Sequence, residues 1–139
     1  MENATTSSRS QQPDALEVLL EIGRDLTASL GSLDRYERLL VAARRVLPFD
    51  AACLLRLQGD VLVPLAAHGL VPQALERPYP RRQHPRLDAI LRAPAPILFP
   101  PGSALPDPFD GLLTADPHAL ERIHACLGCP LTSDGEIVG

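Results

Sequence analysis

The chain reads as an α+β domain, with helices flanking an antiparallel sheet of short strands. Three observations predict this. Residues 13–47 carry apolar positions at helical spacing, and residues 50–67 carry two apolar runs separated by Gln58-Gly59-Asp60, a hairpin signal. Most of the 15 prolines fall between Pro64 and Pro108, which confines that half to short elements joined by loops. A length of 139 residues suits one modest domain with its own core. The net charge of −4 leaves no electrostatic footprint for DNA or an anionic membrane, and no apolar run is long enough to span a bilayer.

In order along the chain, residues 1–12 are polar and aperiodic and are expected to form a disordered tail. They lack a basic-plus-apolar leader, which places the chain in the cytoplasm. Pro13 and Asp14 open a first helix with Leu16, Leu19, Leu20, Leu26 and Leu30 at helical spacing and Gly31 as stop. That leucine stripe either pairs with a second subunit or covers the sheet. Ser32 or Asp34 caps a second helix lined by Tyr36, Leu39, Leu40, Ala43 and Leu47. Strands are expected at Asp50–Leu57 and Val61–Ala67, with Cys53 a small core residue. Val71–Arg82 reads as an irregular connection with one helical turn. His84-Pro85-Arg86 starts a short helix through Arg92, with His84 as its cap and Pro85 in a favourable first-turn position. Pro96–Phe99 is a third strand, Ala119–Ile123 a helical turn, and His124–Leu131 a fourth strand. Ser133-Asp134-Gly135-Glu136 is a turn, after which Ile137-Val138-Gly139 begins another strand.

Chemistry gathers in Leu105–Leu131, where two carboxylates (Asp107, Asp110), an imidazole (His124) and two thiols (Cys126, Cys129) lie in one segment. His124 and Cys126 are two apart on an expected strand and project from the same face. Pro106 and Pro108 pin the acidic loop and restrict where its carboxylates point. Such a loop facing a His/Cys strand can supply a mixed carboxylate, imidazole and thiolate cage. The mix is neither the tetrahedron of structural zinc nor the oxygen cage of calcium; it suits non-haem ferrous iron, which binds nitric oxide. The same aspartates also fit a plain Pro/Asp turn. Three cysteines without a leader argue against a disulfide framework. Cys126-Leu127-Gly128-Cys129 has redox CxxC spacing but falls on an expected strand, where residues three apart face opposite ways; redox pairs sit at helix N-termini.

Leu-Pro-Asp-Pro-Phe-Asp-Gly-Leu from Leu105 and His-Ala-Cys-Leu-Gly-Cys-Pro-Leu from His124 carry a resemblance, joined by His84-Pro85-Arg86-Leu87-Asp88-Ala89-Ile90 and the pattern from Leu33 onward. Together they resemble the N-terminal GAF domain of the NorR family, nitric-oxide-responsive bacterial transcription activators that work with the alternative sigma factor, sigma-54. The resemblance covers most of residues 13–139. It implies a GAF-like sheet whose final strand and closing helix are missing at the C-terminus, so that the domain is incomplete.

It also implies that Asp107, Asp110, His124 and Cys126 match ligands of a mononuclear iron, with a further family aspartate just past Gly139. Phe109 stands where the family has tyrosine, and Cys129 where it has an apolar residue. Arg86 matches a position implicated in the iron site. Direct ligation by a guanidinium that stays protonated is chemically awkward, so orienting Asp107 or Asp110 by a charge-assisted hydrogen bond suits it better. Arg92 matches a position that contacts the ATPase domain in the repressed state. On this resemblance the chain is a regulatory module, not an enzyme. It holds ferrous iron, takes nitric oxide as signal and relieves repression of the ATPase domain of the same full-length protein. The alternative is a generic GAF module that binds a small organic effector or dimerises, without metal.

Overall fold

The computed structural model describes residues 14–27, 31–114 and 125–139. The expected tail (1–12), the helical turn at 119–123 and His124 lie outside the described residues. The fold class is the expected one: among the described residues there are three α-helices, and the ladders are antiparallel.

Helix α1 (Ala15–Thr27) starts where Asp14 accepts the Leu16 amide at 3.1 Å, satisfying one of the first-turn donors. It packs on α2 (Ser32–Val46) and is pinned there by Arg45 to Glu21. Val18 is wholly buried, whereas Leu16, Leu19 and Leu20 of the leucine stripe are exposed. Among the described residues α2, not α1, packs on the sheet, so Leu16, Leu19 and Leu20 do not cover it as one of the two expectations had it; Leu30 lies outside the described residues. α2 contributes Leu40 and Ala42 to the buried side, while Leu47, expected there, ends the helix and is exposed. Its cap position is Gly31 rather than Ser32 or Asp34, and glycine brings no side chain to cap the helix.

Strands β1 (Ala52–Gln58) and β2 (Val61–His68) form the expected hairpin. Its register slips between Leu54 and Leu55, opposite Pro64, whose missing N–H breaks the ladder. The connection that follows has a 3₁₀ turn at Pro72–Ala74 and a short strand, β3 (Tyr79–Pro80), which pairs with the start of β2. Two residues are too few for periodicity to reveal, and the flanking prolines mark an edge strand. A second 3₁₀ turn at Arg81–Gln83 leads into α3 (Pro85–Arg92). His84 occupies its cap position, but its ring makes no cap bond.

β4 (Ile97–Phe99) pairs with β5 (Cys126–Gly128) in a separate ribbon. The strand expected to run to Leu131 stops at Gly128, two residues before Pro130, which has no N–H to continue the ladder. β6 (Thr132–Ser133) and β7 (Glu136–Ile137) close over Asp134-Gly135, both at positive φ, the geometry a two-residue type I′ turn requires. The Leu57 amide donates to the Val138 carbonyl at 2.8 Å, which brings this hairpin to the free side of β1.

The core lies between the sheet and α3: Leu62, Tyr79, Leu87 and Leu91 are buried, with Leu55, Leu57, Ile90 and Phe109 against them. Tyr79 is wholly enclosed and donates its hydroxyl to the Ala74 carbonyl at 2.8 Å. A Cβ on Gly128 would fall 2.1 Å from Ile90 Cδ1, so glycine there lets α3 lie directly on the strand that carries Cys126. That contact ties the helix of Arg86 to the strand of Cys126.

Candidate functional site

Arg86 occupies the first turn of α3 yet is only 3% exposed, the one charged residue buried among the described residues. A guanidinium leaves water only when the fold compensates it. Here Nη2 donates to the Leu105 carbonyl at 2.5 Å, and the group lies over the Phe99 ring, 5.0 Å from its centroid. Nη1 lies 3.6 Å from Asp107 Oδ2, an ion pair longer than a hydrogen bond. Nε and Nη1 therefore remain buried without a hydrogen-bond partner.

The acidic loop is held from several sides. Asp107 Oδ1 accepts the Phe109 amide at 2.9 Å, and the Asp110 amide donates to the Asp107 carbonyl at 3.3 Å. This is a local turn of the kind short acidic side chains make. The Phe109 ring meets Tyr79 edge-on, centroids 5.3 Å apart. Arg77 Nη2 donates to the Pro108 carbonyl at 3.1 Å.

Cys126 enters from β5, where it pairs with Phe99 of β4, the ring beneath Arg86. Burial raises its thiol pKa and the nearby Asp107 carboxylate adds to that, while Arg86 beside it acts the other way. Cys126 and Cys129 are both free thiols, Cys126 half-buried and Cys129 exposed. Cys53 is a free thiol too; it is half-buried, and burial pushes its pKa up to about 12.

Three of the singled-out residues thus come together: Arg86, Asp107 and Cys126. Asp110 lies in the same turn but is exposed. Arg92 stands on the outer side of α3, its side chain 73% exposed, with Nε 2.9 Å from Asp88 Oδ2. Asp88 is shared, since its Oδ1 also takes Arg81 Nη2 at 2.7 Å. Among the described residues no three His, Cys, Asp or Glu groups converge as a metal site would require, and His124 lies outside them. The donor set nonetheless fits a metal in its chemistry. Two orphaned N–H groups beside a carboxylate and a thiol call for anions there, and a metal would hold Cys126 as thiolate and Asp107 as carboxylate. The sequence did not single out Phe99, Leu105 or Arg77, because an apolar strand residue, a carbonyl and a loop arginine carry no motif.

The family model of the GAF domain matches residues 33–139. The chain belongs to the GAF domain family. This GAF domain is also similar to curated relatives named "Anaerobic nitric oxide reductase transcription regulator NorR", as the motif resemblance led us to expect. It is 42% identical over 125 residues to that of Citrobacter koseri, covering 90% of this chain and 24% of the relative. It is 42% identical over 121 residues to that of Aeromonas hydrophila, covering 87% and 23%. It is 40% identical over 125 residues to that of Klebsiella pneumoniae, covering 90% and 24%. The chain therefore spans about a quarter of the length of these relatives, whose names are those of transcription regulators and not of enzymes. No solved structure matches. Among the described residues no helix is long and apolar enough to cross a membrane.

Proposed function

We propose that this GAF domain is the nitric-oxide-sensing regulatory module of a sigma-54-dependent, cytoplasmic transcription activator, and that Asp107, Asp110, His124 and Cys126 hold a mononuclear ferrous iron. The observation that carries the reading is the buried Arg86 guanidinium, with two unpartnered N–H groups beside Asp107 and Cys126. The similarity to regulators named for nitric oxide reductase supports it. We take residues 13–139 as the domain, α1 included, because Val18 is buried and Glu21 pairs with Arg45.

Iron would supply an open coordination position at which nitric oxide binds directly; zinc can leave a position open but, with no accessible redox change, would not bind nitric oxide there. The protein's own residues do the rest. Arg86 orients the Asp107 carboxylate and offers N–H donors to the anions gathered there. Any change in charge or position of Asp107 or Cys126 acts on Arg86, in the first turn of α3. Arg92 follows six residues on, about 9 Å along the axis. Its exposed guanidinium would contact the ATPase domain of a longer protein, and repression is relieved if the signal-bound state disfavours that contact. Nucleic-acid binding would reside elsewhere in such a protein.

The test is anaerobic loading with ferrous iron followed by nitric oxide, read by electron paramagnetic resonance, with Cys126→Ser and Asp110→Ala alongside. A paramagnetic iron signal in the parent, altered in both variants, is the expected result. A folded parent that gives none refutes the iron reading. A second reading, a metal-free dimerisation platform, is favoured by the exposed Leu16, Leu19 and Leu20 of α1. Sedimentation velocity on Leu19→Glu distinguishes it: loss of a dimer with the iron signal intact makes the two roles separable.

A further inference from the structure

The acidic loop is bonded internally from Asp107 to Leu112, but not at the Leu105 and Pro108 carbonyls, which take side-chain donors from outside it. Pro106 and Pro108 flank Asp107 and have no N–H to give, so the loop relies on outside donors to satisfy these carbonyls. Two arginines supply them, one on each side of Asp107. Arg86 donates to the carbonyl of Leu105, two residues before it, and Arg77 to the carbonyl of Pro108, one residue after it. Arg77 does more than bond the loop. Its guanidinium carbon lies 5.1 Å from the centroid of the Tyr79 ring, the same ring that meets Phe109. Tyr79 is wholly enclosed and tied to Ala74, so it forms a fixed post. The loop is thus gripped at Pro108 through its carbonyl by Arg77 and at Phe109 through its ring by Tyr79 of β3.

We infer that Arg77, with Tyr79 as its backing, is a positioning residue for Asp107 and Asp110: it clamps the Pro108 carbonyl and so fixes the two carboxylates as a pair. The inference rests on the proposed iron site for its purpose, but the clamp itself is a statement about the loop. A planar guanidinium suits the task, because it stacks on Tyr79 and donates in its own plane to the carbonyl at once. A lysine keeps a donor but loses the stacking. Residues that orient metal ligands from outside the coordination sphere change metal affinity by about 10- to 100-fold when removed.

The experiment uses the parent chain, Arg77→Ala and Arg77→Lys. Arg77 is exposed, so its truncation opens no core. Hydrogen exchange on the metal-free protein reads the loop at the amides of Phe109, Asp110 and Leu112, which are bonded within it. Anaerobic equilibrium dialysis with ferrous iron reads the site. The expected result is faster loop exchange in Arg77→Ala with the β1–β2 amides unchanged, about 10- to 100-fold weaker iron binding, and partial recovery of both in Arg77→Lys. Unchanged loop exchange overturns the clamp. Faster loop exchange with undiminished iron affinity overturns the positioning role, as does a uniform rise in exchange across the domain. A parent that binds no iron while Arg77→Ala opens the loop overturns the reading of the site and the positioning role with it.

Discussion

Replacing Arg86 by methionine separates what the residue does for the fold from what it does for the site. Its favourable interactions are substantial. At 3.6 Å from Asp107 and an effective dielectric of about 20, the ion pair contributes about 4–5 kcal/mol. The bond to Leu105 adds about 2 kcal/mol and the Phe99 ring about 1–2 kcal/mol. Against them stand several kcal/mol for desolvating a guanidinium and about 1–3 kcal/mol for each of the two N–H groups left without acceptors. The two sides cancel to within a few kcal/mol, and methionine keeps most of the buried volume. With Asp107→Asn added, Arg86→Met is therefore expected to fold with stability within about 2 kcal/mol of the parent; Arg86→Met alone, which leaves Asp107 without its cation, loses up to about 3–5 kcal/mol. Urea unfolding followed by circular dichroism, with unchanged slope, measures this. Iron binding should weaken in the same variant. A loss above about 4 kcal/mol in the double variant would show that Arg86 is retained for structure, and the orphaned N–H groups would lose their meaning as a functional signal.

Further outcomes follow from the same geometry. Gly128→Ala sets a methyl 2.1 Å from Ile90 Cδ1, and should destabilise by about 1–3 kcal/mol in urea unfolding, with partial recovery when Ile90→Val is added. A thiol reagent at pH 8 should modify Cys129 fast and Cys53 hardly at all, since Cys129 is exposed and the Cys53 pKa is pushed up to about 12; mass spectrometry of peptides assigns the sites. Burial lowers the pKa of His84, and the Arg77 charge lowers it further, so the unfolded chain binds the proton more tightly. The stability this group contributes is complete above the unfolded value of about 6.5 and is lost as pH falls through the folded one. Melting temperatures measured from pH 7 to 5 should therefore fall more steeply in the parent than in His84→Asn.

The sequence revealed those parts of the fold in which local pattern and tertiary role agree. The β1–β2 hairpin was legible from its apolar runs and turn, and α3 from Pro85 and the apolar residues behind it. β3 was not, because Tyr79–Pro80 owes its pairing to β2 rather than to any pattern of its own. The face of α1 that packs was left open by the sequence for a related reason: its leucines are the more numerous apolar residues, yet packing against α2 selected Val18. Motif resemblance put Arg86, Asp107 and Cys126 in one site. It gave no sign of the Phe99 ring under Arg86 or of Arg77 on the loop, since neither belongs to a motif and each depends on chain segments distant in sequence.

On the proposed reading, the burial of Arg86 on α3 makes sense from what the helix touches. Leu87 and Leu91 anchor it to the sheet, and Ile90 lies against Gly128, two residues beyond Cys126. On its other side Asp88 holds both Arg81 and Arg92. One short helix therefore meets the loop through Arg86, the Cys126 strand through Ile90, and the surface through Arg92. A helix of eight residues moves as a unit, because close-packed neighbours leave little room for local deformation. A displacement of either the loop or β5 then reaches Arg92 without a separate path, provided that the two states of the site differ in where they leave α3. The Asp88 pairs set the resistance to that movement. Since Arg92 is largely exposed, its own pair with Asp88 contributes no more than about 1 kcal/mol, and a partner surface with a single well-placed carboxylate can outcompete it.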